Sequence, residues 1–197
     1  MKTALILLAI AMTAWAAAPS ESVHDGDIIF QRSQTQQSDA IAAATHSEYT
    51  HMGIIFVEDG KPFVYEAVQP VRKTPLGEWI ARGKEGRYVV KRLRDSAPVN
   101  TAALKREVRK MLGRDYDWLF DWSDASIYCS ELVWKAYKRG CGLEIGQPKT
   151  LGEFDLSQEV VRRTMAERYG QNIPLSMKVI SPSDIFECDK LVTIMAK

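Results

Sequence analysis

The sequence predicts an α+β domain, in which a small, barrel-like meander of antiparallel strands packs against helices. Three observations predict this class. Short apolar runs are bounded by turn residues, a hairpin signal joins two of these runs, and later segments carry apolar residues at helical spacing. After removal of a predicted N-terminal signal roughly 180 residues remain, which suits one domain with a hydrophobic core.

The strands are predicted mostly in the first half of the chain. The apolar run 53–57 and the return run 62–68 are separated by Glu58-Asp59-Gly60-Lys61, a sequence typical of a hairpin turn. The other predicted strands, identified by alternation or by flanking turn residues, are 26–31, 87–93 and a final edge strand over 191–195.

Four helices are predicted from apolar spacing and from residues that begin or end helices. They are 38–44 with Ser38 as its cap, 101–112 ended by Gly113, 129–140 ended by Gly140, and 157–169 capped by Ser157 and ended by Gly170.

The N-terminus is typical of an export signal. Met1-Lys2 supplies positive charge, residues 4–12 are apolar, and residues 14–18 contain small-residue cleavage patterns. We therefore predict a signal over residues 1–18, one domain over 19–197, and a periplasmic or secreted protein. The apolar run is shorter than the about 20 residues needed to span a bilayer, so no integral membrane segment is expected after cleavage. An uncleaved N-terminal anchor is the alternative.

The nearly neutral charge of the chain argues against nucleic acid and anionic membrane surfaces as partners. The chain has 26 Lys and Arg against 25 Asp and Glu, which favours neither nucleic acid nor an anionic surface. Two short basic clusters, Lys91-Arg92-Leu93-Arg94 and Arg162-Arg163, are interpreted as solvated faces. We expect no nucleic-acid partner.

Cys129 is the first candidate for chemistry. An exported chain with three cysteines would be expected to pair two and leave one free, and a free thiol in such a compartment points to reactivity. Cys129 begins an amphipathic helix in Tyr128-Cys129-Ser130-Glu131-Leu132. The partial positive charge of a helix start favours a thiolate.

The other two cysteines leave two possibilities open. Cys129 and Cys141 are 12 residues apart on one helix, or roughly 18 Å, whereas a disulfide needs Cα atoms within about 7 Å. Cys141 and Cys188 could pair, or both could be buried free thiols.

A cysteine nucleophile needs a base, and the chain offers His24, His46 and His51. His51 directly precedes an apolar strand that would hold its side chain, so it is the predicted base. His46, expected at the end of the preceding helix, is the alternative. His24 is expected to be exposed near the mature N-terminus.

Glu66 is the predicted orienting group for His51. It shares a strand face with Val64 and Val68, where a carboxylate is costly unless it is paired. The pairing of the two hairpin strands would place Glu66 within one or two residues of the position opposite His51. The alternative is a glutamate on an edge strand that faces solvent.

Other chemistries find little support. His46 and His51 do not make an H-E-x-x-H motif, and the cysteines do not form C-x-x-C pairs. No phosphate-binding glycine loop and no G-x-S-x-G elbow is present. We predict neither a metal nor a cofactor.

Several motifs, in order, resemble a known family. The segment Leu112-Gly113-Arg114-Asp115-Tyr116, followed by Tyr128-Cys129-Ser130-Glu131, is similar to the cysteine half of NlpC-type papain-like hydrolases. Here Thr50-His51-Met52-Gly53 and Tyr65-Glu66-Ala67 precede the cysteine, and Ser181-Pro182-Ser183-Asp184 lies near the end. This order resembles the circularly permuted YiiX/YaeF group, which is related to lecithin retinol acyltransferase-like proteins.

The resemblance implies a permuted papain-like fold and a thiol hydrolase or acyltransferase. Cys129 would be the nucleophile, His51 the base and Glu66 the third member, and Tyr116 would line the site unless it is a core tyrosine. The implied substrate is a cell-envelope amide, ester or thioester: an acyl amide, a lipid or a murein peptide. A murein peptide hydrolase and a catalytically silent peptide- or lipid-binding module are the alternatives.

Overall fold

The computed structural model describes residues 23–94 and 99–197, so the predicted signal over residues 1–18 lies outside the described residues. The strands are β1 (Ile28–Gln31), β2 (His51–Glu58), β3 (Lys61–Glu66), β4 (Arg72–Pro75), β5 (Val89–Leu93), β6 (Asp115–Tyr116), β7 (Ser126–Ile127), β8 (Lys149–Thr150), β9 (Lys178–Val179) and β10 (Leu191–Ala196). The helices are α1 (Gln36–Thr45), α2 (Leu76–Ala81), α3 (Thr101–Arg109), α4 (Cys129–Cys141), α5 (Glu159–Tyr169) and α6 (Pro182–Phe186).

Six of these strands form one sheet in the order β10-β5-β1-β2-β3-β4, and every neighbouring pair in it is antiparallel. The predicted antiparallel meander is therefore confirmed, with β10 as an edge strand as expected. Two small sheets accompany it: β6 pairs with β7 in parallel, and β8 pairs with β9. The β6–β7 pair matters for the site because it brings Tyr116 opposite Ile127, two residues before Cys129.

The two faces of the large sheet are both covered, because alternate side chains of a strand point to opposite sides. One face packs against α3 and α4 in the larger apolar cluster, which includes Phe30, Met52, Ile54, Leu132 and Val133. The other face packs against α2 in a smaller cluster that includes Ile29, Ile55, Val64, Trp79 and Val90. Strand β2 contributes to both clusters and is buried over most of its length.

Helix α4 does not end at Gly140 as predicted. It continues to Cys141 and is ended by Gly142, whose φ of 69° is in the left-handed region that glycine adopts readily. Gly140 instead allows α4 to approach α3, since a Cβ there would lie 2.8 Å from Cα of Leu104. The glycine marks close helix packing rather than a helix end.

Two predicted helix caps are also wrong. Helix α1 begins at Gln36, and Ser38 lies inside it, because the Ser38 hydroxyl shares a hydrogen bond of 2.7 Å with Thr50 Oγ1. Helix α5 begins at Glu159, and the Ser157 hydroxyl donates to Asp155 Oδ1 and does not accept a helix N–H. In both cases a local or tertiary oxygen competes for the serine hydroxyl.

The three cysteines are all free thiols, so the pairing of Cys141 with Cys188 is not formed. Cys141 Sγ lies 3.9 Å from the carbonyl oxygen of Asn100, and Cys188 Sγ lies 4.0 Å from Asp189 Oδ1. Cys129 is buried, whereas the other two are partly exposed. What distinguishes Cys129 is therefore its position in the fold, not the lack of a partner cysteine.

Candidate active site

The site begins with His51 and Glu66, which lie at the adjoining ends of β2 and β3. Nε2 of His51 is 2.6 Å from Oε2 of Glu66, and both side chains are buried. The hairpin register pairs Ile54 with Tyr65, so the next pair along brings Glu66 opposite Gly53. Glu66 and His51 are therefore two residues apart along the sheet and on the same face of it.

Gly53 is required between these two side chains. A Cβ at this position would lie 2.5 Å from Cγ1 of Val64 and 2.7 Å from the carbonyl oxygen of Tyr65. Without a side chain at position 53, the carboxylate of Glu66 reaches across to the imidazole of His51.

The Glu66 carboxylate is enclosed by hydrogen-bond donors. Besides His51, Oε2 accepts the indole N–H of Trp79 at 3.0 Å. Oε1 accepts the hydroxyl of Thr74 at 2.6 Å and a guanidinium N–H of Arg82. The His51 ring also stacks on Trp79, with ring centroids 5.8 Å apart. Glu66 is thus fixed by four donors and in turn fixes the imidazole.

Sequence reasoning missed Thr74, Trp79 and Arg82, because no element was predicted between residues 68 and 87. Strand β4 and helix α2 occupy this stretch. One signal was available: Trp79 and Arg82 are three residues apart, the spacing that places two side chains on one side of a helical turn. That spacing alone would not have indicated Glu66 as their common partner.

Cys129 is the first residue of α4 and borders the larger apolar cluster. Its sulfur lies near enough to the His51 imidazole to raise the pKa of that ring. Because Nε2 of His51 is held by Glu66, Nδ1 is the ring nitrogen left for the thiol. A thiol, an imidazole and a carboxylate are therefore arranged in series, as nucleophilic thiol catalysis requires.

The helix start is held by Glu131, the third residue of α4. Its Oε2 accepts the backbone N–H of Tyr128 at 3.3 Å, and its Oε1 lies 2.6 Å from Nζ of Lys135. Burial raises the pKa of Glu131 to about 7, although the Lys135 ammonium opposes the shift. Lys135 Nζ also donates to the carbonyl oxygens of Trp122 and Ser123, which ties the preceding loop to the helix.

The proton balance of the site favours a charged imidazole. Burial lowers the pKa of His51, but the hydrogen bonds and negative charges of Cys129 and Glu66 outweigh it and raise the pKa to about 9. For Glu66, burial raises the pKa, but His51, Thr74 and Arg82 outweigh this effect and hold the pKa at about 2. Glu66 is ionised at neutral pH and His51 carries a proton next to the sulfur.

Tyr116 lies beside this series, at the end of β6. Its hydroxyl accepts a hydrogen bond of 3.3 Å from Nε2 of Gln37, and both residues line one pocket with Cys129. Burial, followed by the negative charge of Cys129, raises the pKa of Tyr116 well above its usual value. Tyr116 therefore remains a hydrogen-bond donor at neutral pH. Gln37 was not among the sequence-predicted residues.

The other two histidines lie away from the thiol. His46 follows α1 in the left-handed conformation, its side chain is 71% exposed, and Nε2 lies 3.1 Å from Asp155 Oδ2. His24 is exposed at the start of the described chain. The structure therefore brings His51, and not His46, next to Cys129. Among residues 23–94 and 99–197, no three His, Cys, Asp or Glu side chains cluster closely enough to hold a metal ion.

The raised pKa of His51 predicts how stability depends on pH. The folded protein binds the His51 proton more tightly than the unfolded chain, whose histidine pKa is near 6.5. The resulting stabilisation is complete below pH 6.5 and is lost as the pH rises through about 9. A shift of this size corresponds to roughly 3 kcal/mol. Urea unfolding should show this decline in the native protein.

The matched comparison is His51→Ala, which removes the titrating group. Its free energy of unfolding should decline less between pH 6.5 and 9 than that of the native protein. An equal decline in both proteins would show that His51 does not hold its proton in this range.

Comparisons with known proteins bear on the family and the fold of this chain. A family model described as permuted papain-like amidase enzyme, YaeF/YiiX, C92 family matches residues 22–195. The uncharacterized protein YiiX of Escherichia coli (strain K12) is 43% identical over 195 residues, which cover 98% of this chain and 96% of that protein. The crystal structure of metalloprotein yiiX from Escherichia coli O157:H7 matches with a TM-score of 0.86 at 45% identity, over 88% of this chain and 97% of that one. These matches confirm the predicted permuted papain-like fold.

Proposed function

Because the chain belongs to the YaeF/YiiX family of permuted papain-like amidases, we propose that it is an exported cysteine hydrolase that cleaves an amide bond through an acyl-enzyme on Cys129. The observation that carries this proposal is the placement of the Cys129 sulfur near the His51 imidazole, which is hydrogen-bonded to Glu66, at the side of a pocket. An ester or thioester could be cleaved by the same steps, since each also presents an acyl carbonyl and a leaving group.

In the first half of the reaction, the Cys129 thiolate, whose proton is held on His51, attacks the substrate carbonyl carbon. A carbon–sulfur bond forms, and the carbonyl oxygen becomes an oxyanion. When the oxyanion collapses, the carbon–nitrogen bond breaks and His51 donates its proton to the departing amine. In the second half, His51 takes a proton from water, the hydroxide attacks the thioester, and the acid leaves as Cys129 is regenerated.

The oxyanion would be bound at the start of α4. The first N–H groups of a helix have no partner within the helix, and here they lie at the nucleophile itself. The hydroxyl of Tyr116, oriented by Gln37, is a further donor at the same pocket. Donors fixed in advance stabilise the negative charge that develops in the transition state.

Glu66 would keep the imidazole in the tautomer and orientation that the thiol needs. Its bond to Nε2 directs Nδ1 towards Cys129 and stabilises the charged ring. The donors Thr74, Trp79 and Arg82 keep the carboxylate ionised. A silent binding module would gain nothing from burying these charges, which speaks against that alternative.

Export is proposed from the sequence of residues 1–18. Within residues 23–94 and 99–197, no helix is both long and apolar enough to cross a membrane. The site would then act on molecules of the cell envelope or its surroundings.

The relative from Escherichia coli O157:H7 is called a metalloprotein. In this chain the candidate donors do not fit a resident metal, because Nε2 of His51 is occupied by Glu66 and the described residues contain no cluster of three potential ligands. The proposed steps therefore rest on the thiol, the imidazole and the carboxylate alone.

The acyl-enzyme can be tested with an activated short ester, p-nitrophenyl butyrate, in the presence of a chelator. We expect a burst of p-nitrophenolate equal to the enzyme concentration. After an acid quench, mass spectrometry should find the butyryl group on the peptide that contains Cys129. Cys141 and Cys188, which are free thiols in the same chain, are internal controls. Turnover without any butyryl-Cys129, or butyrylation spread equally over the three cysteines, would refute the proposal.

A further inference from the structure

A buried ion pair lies on α4, close to the nucleophile. Glu131 is fully buried, and its Oε1 lies 2.6 Å from Nζ of Lys135, whose side chain is 4% exposed. A buried ion pair adds little to stability, because the cost of removing both charges from water offsets their attraction. Its position on the helix that Cys129 begins points to a role at the reacting group instead.

Lys135 holds the middle of the loop that joins β6 to β7. Its Nζ donates to the carbonyl oxygens of Trp122 at 3.0 Å and Ser123 at 2.9 Å, and to Oδ1 of Asp124 at 2.9 Å. Trp122 has a φ of 64°, in the left-handed region that residues other than glycine rarely adopt. Such a conformation persists only where its surroundings hold it, and the ammonium of Lys135 is one of these contacts.

The two ends of this loop carry groups that would act on the substrate carbonyl. Tyr116, at the end of β6, lies opposite Ile127 in β7, and Cys129 follows two residues later. Glu131 fixes the second end, because its Oε2 accepts the N–H of Tyr128 at 3.3 Å. The placement of the Tyr116 hydroxyl relative to the sulfur therefore depends on how the ion pair holds the loop.

We propose that Glu131 and Lys135 are positioning residues: as a charged pair they hold the β6–β7 loop against the start of α4, and so place the oxyanion donors relative to the sulfur. The inference rests on the proposed function, because it assigns the pair to a step at the oxyanion. Glu131 acts through the donors and not through the thiolate, since a carboxylate near the sulfur opposes a second negative charge.

The charge of Glu131 is the variable part of this arrangement. Burial raises the pKa of its carboxyl to about 7, Lys135 opposes the shift, and the negative charge of Asp117 in the loop adds to it. Burial also raises the pKa of the neighbouring Tyr128 phenol well above its usual value, so this group stays neutral. Glu131 is therefore charged above about pH 7, and its protonation at lower pH ends the ion pair with Lys135.

The native enzyme should consequently lose kcat as the pH falls through about 7. Between pH 6 and 8, His51, with a pKa of about 9, and Glu66, with a pKa of about 2, keep their charges. A decline that came from protonation of the thiolate would appear equally in the rate of Cys129 alkylation. The decline that belongs to Glu131 should appear in kcat and not in alkylation.

The test compares Glu131→Gln with the native enzyme from pH 6 to 8, at saturating butyryl p-nitroanilide. The amide keeps an acceptor for the Tyr128 N–H and cannot form the ion pair. At pH 8 we expect kcat to be roughly tenfold lower than in the native enzyme. The decline near pH 7 should be absent. Alkylation of Cys129 by iodoacetamide should be at least as fast as in the native enzyme.

Glu159→Gln is the matched control, because it breaks an ion pair of the same length, 2.6 Å, that Glu159 forms with Arg162 on the surface of α5. It should keep the native kcat and pH profile. Circular dichroism and urea unfolding check that each variant is folded. If Glu131→Gln does not fold, the double variant Glu131→Gln/Lys135→Met, which removes both charges of the pair, replaces it and should show the same loss of kcat.

Three results would overturn the inference: native kcat at pH 8 in the folded variant, a pH profile of kcat that Glu131→Gln leaves unchanged, or a loss of alkylation as large as the loss of kcat. A failure of the proposed function would be seen in the native enzyme itself, as no acylation of Cys129 by p-nitrophenyl butyrate.

Discussion

Replacing Cys129 by Ala is expected to reduce turnover by roughly 10⁴-fold or more, because the acyl-enzyme can no longer form. Stability should change little, since a small side chain replaces a small one at a site that borders the pocket. Cys129→Ser should be nearly as inactive, because a hydroxyl is much less acidic than a thiol and His51 is placed to serve a thiolate. The measurement is kcat/KM for an acyl p-nitroanilide, together with urea unfolding.

Cys141→Ser is the matched control for this experiment. Cys141 is the last residue of the same helix, is partly exposed, and contacts the carbonyl oxygen of Asn100 rather than the site. It should keep native turnover. Native-like hydrolysis by Cys129→Ala, or an equal loss in Cys141→Ser, would exclude Cys129 as the nucleophile.

His51→Ala is expected to slow alkylation of Cys129 by iodoacetamide at neutral pH, by roughly 10- to 100-fold, because the thiolate loses its cationic neighbour. The physical basis is the interaction with the Cys129 sulfur, which raises the pKa of His51 and holds a proton on the ring. Peptide mapping after a timed reaction separates Cys129 from Cys141 and Cys188.

His46→Ala is the matched control, since His46 is exposed and contacts Asp155 instead of the thiol. It should barely alter the alkylation rate. Glu66→Gln should slow alkylation less than His51→Ala does, because an amide oxygen can still accept the imidazole N–H. It should also lower stability, since Arg82 loses its charged partner. A larger effect of His46→Ala than of His51→Ala would make the assignment of the base wrong.

The fold could be predicted from the sequence where local chemistry determines structure. The turn Glu58-Asp59-Gly60-Lys61 joins β2 to β3, and the continuous apolar run in β2 reflects two buried faces. Local signals failed where a distant oxygen or backbone competed with them. Ser38 does not cap α1 because its hydroxyl meets Thr50, and Gly140 does not end α4 because it lies against Leu104.

For the site, the chemical groups could be identified from the sequence alone: one thiol at a helix start, one histidine entering an apolar strand, and one carboxylate on the return strand. Their order and motifs also determined the family and the fold. These features are local, or depend only on a short hairpin whose register follows from its turn.

Three features follow from how the folded chain packs: Cys129 lies next to His51 and not His46, Glu66 is enclosed by Thr74, Trp79 and Arg82, and an apolar pocket lies beside the sulfur. Each of these depends on segments far apart in the chain that pack against one sheet. The physical reason is that local propensities fix the direction of a side chain within its own element, whereas the distance between two elements is set by the packing of the whole core.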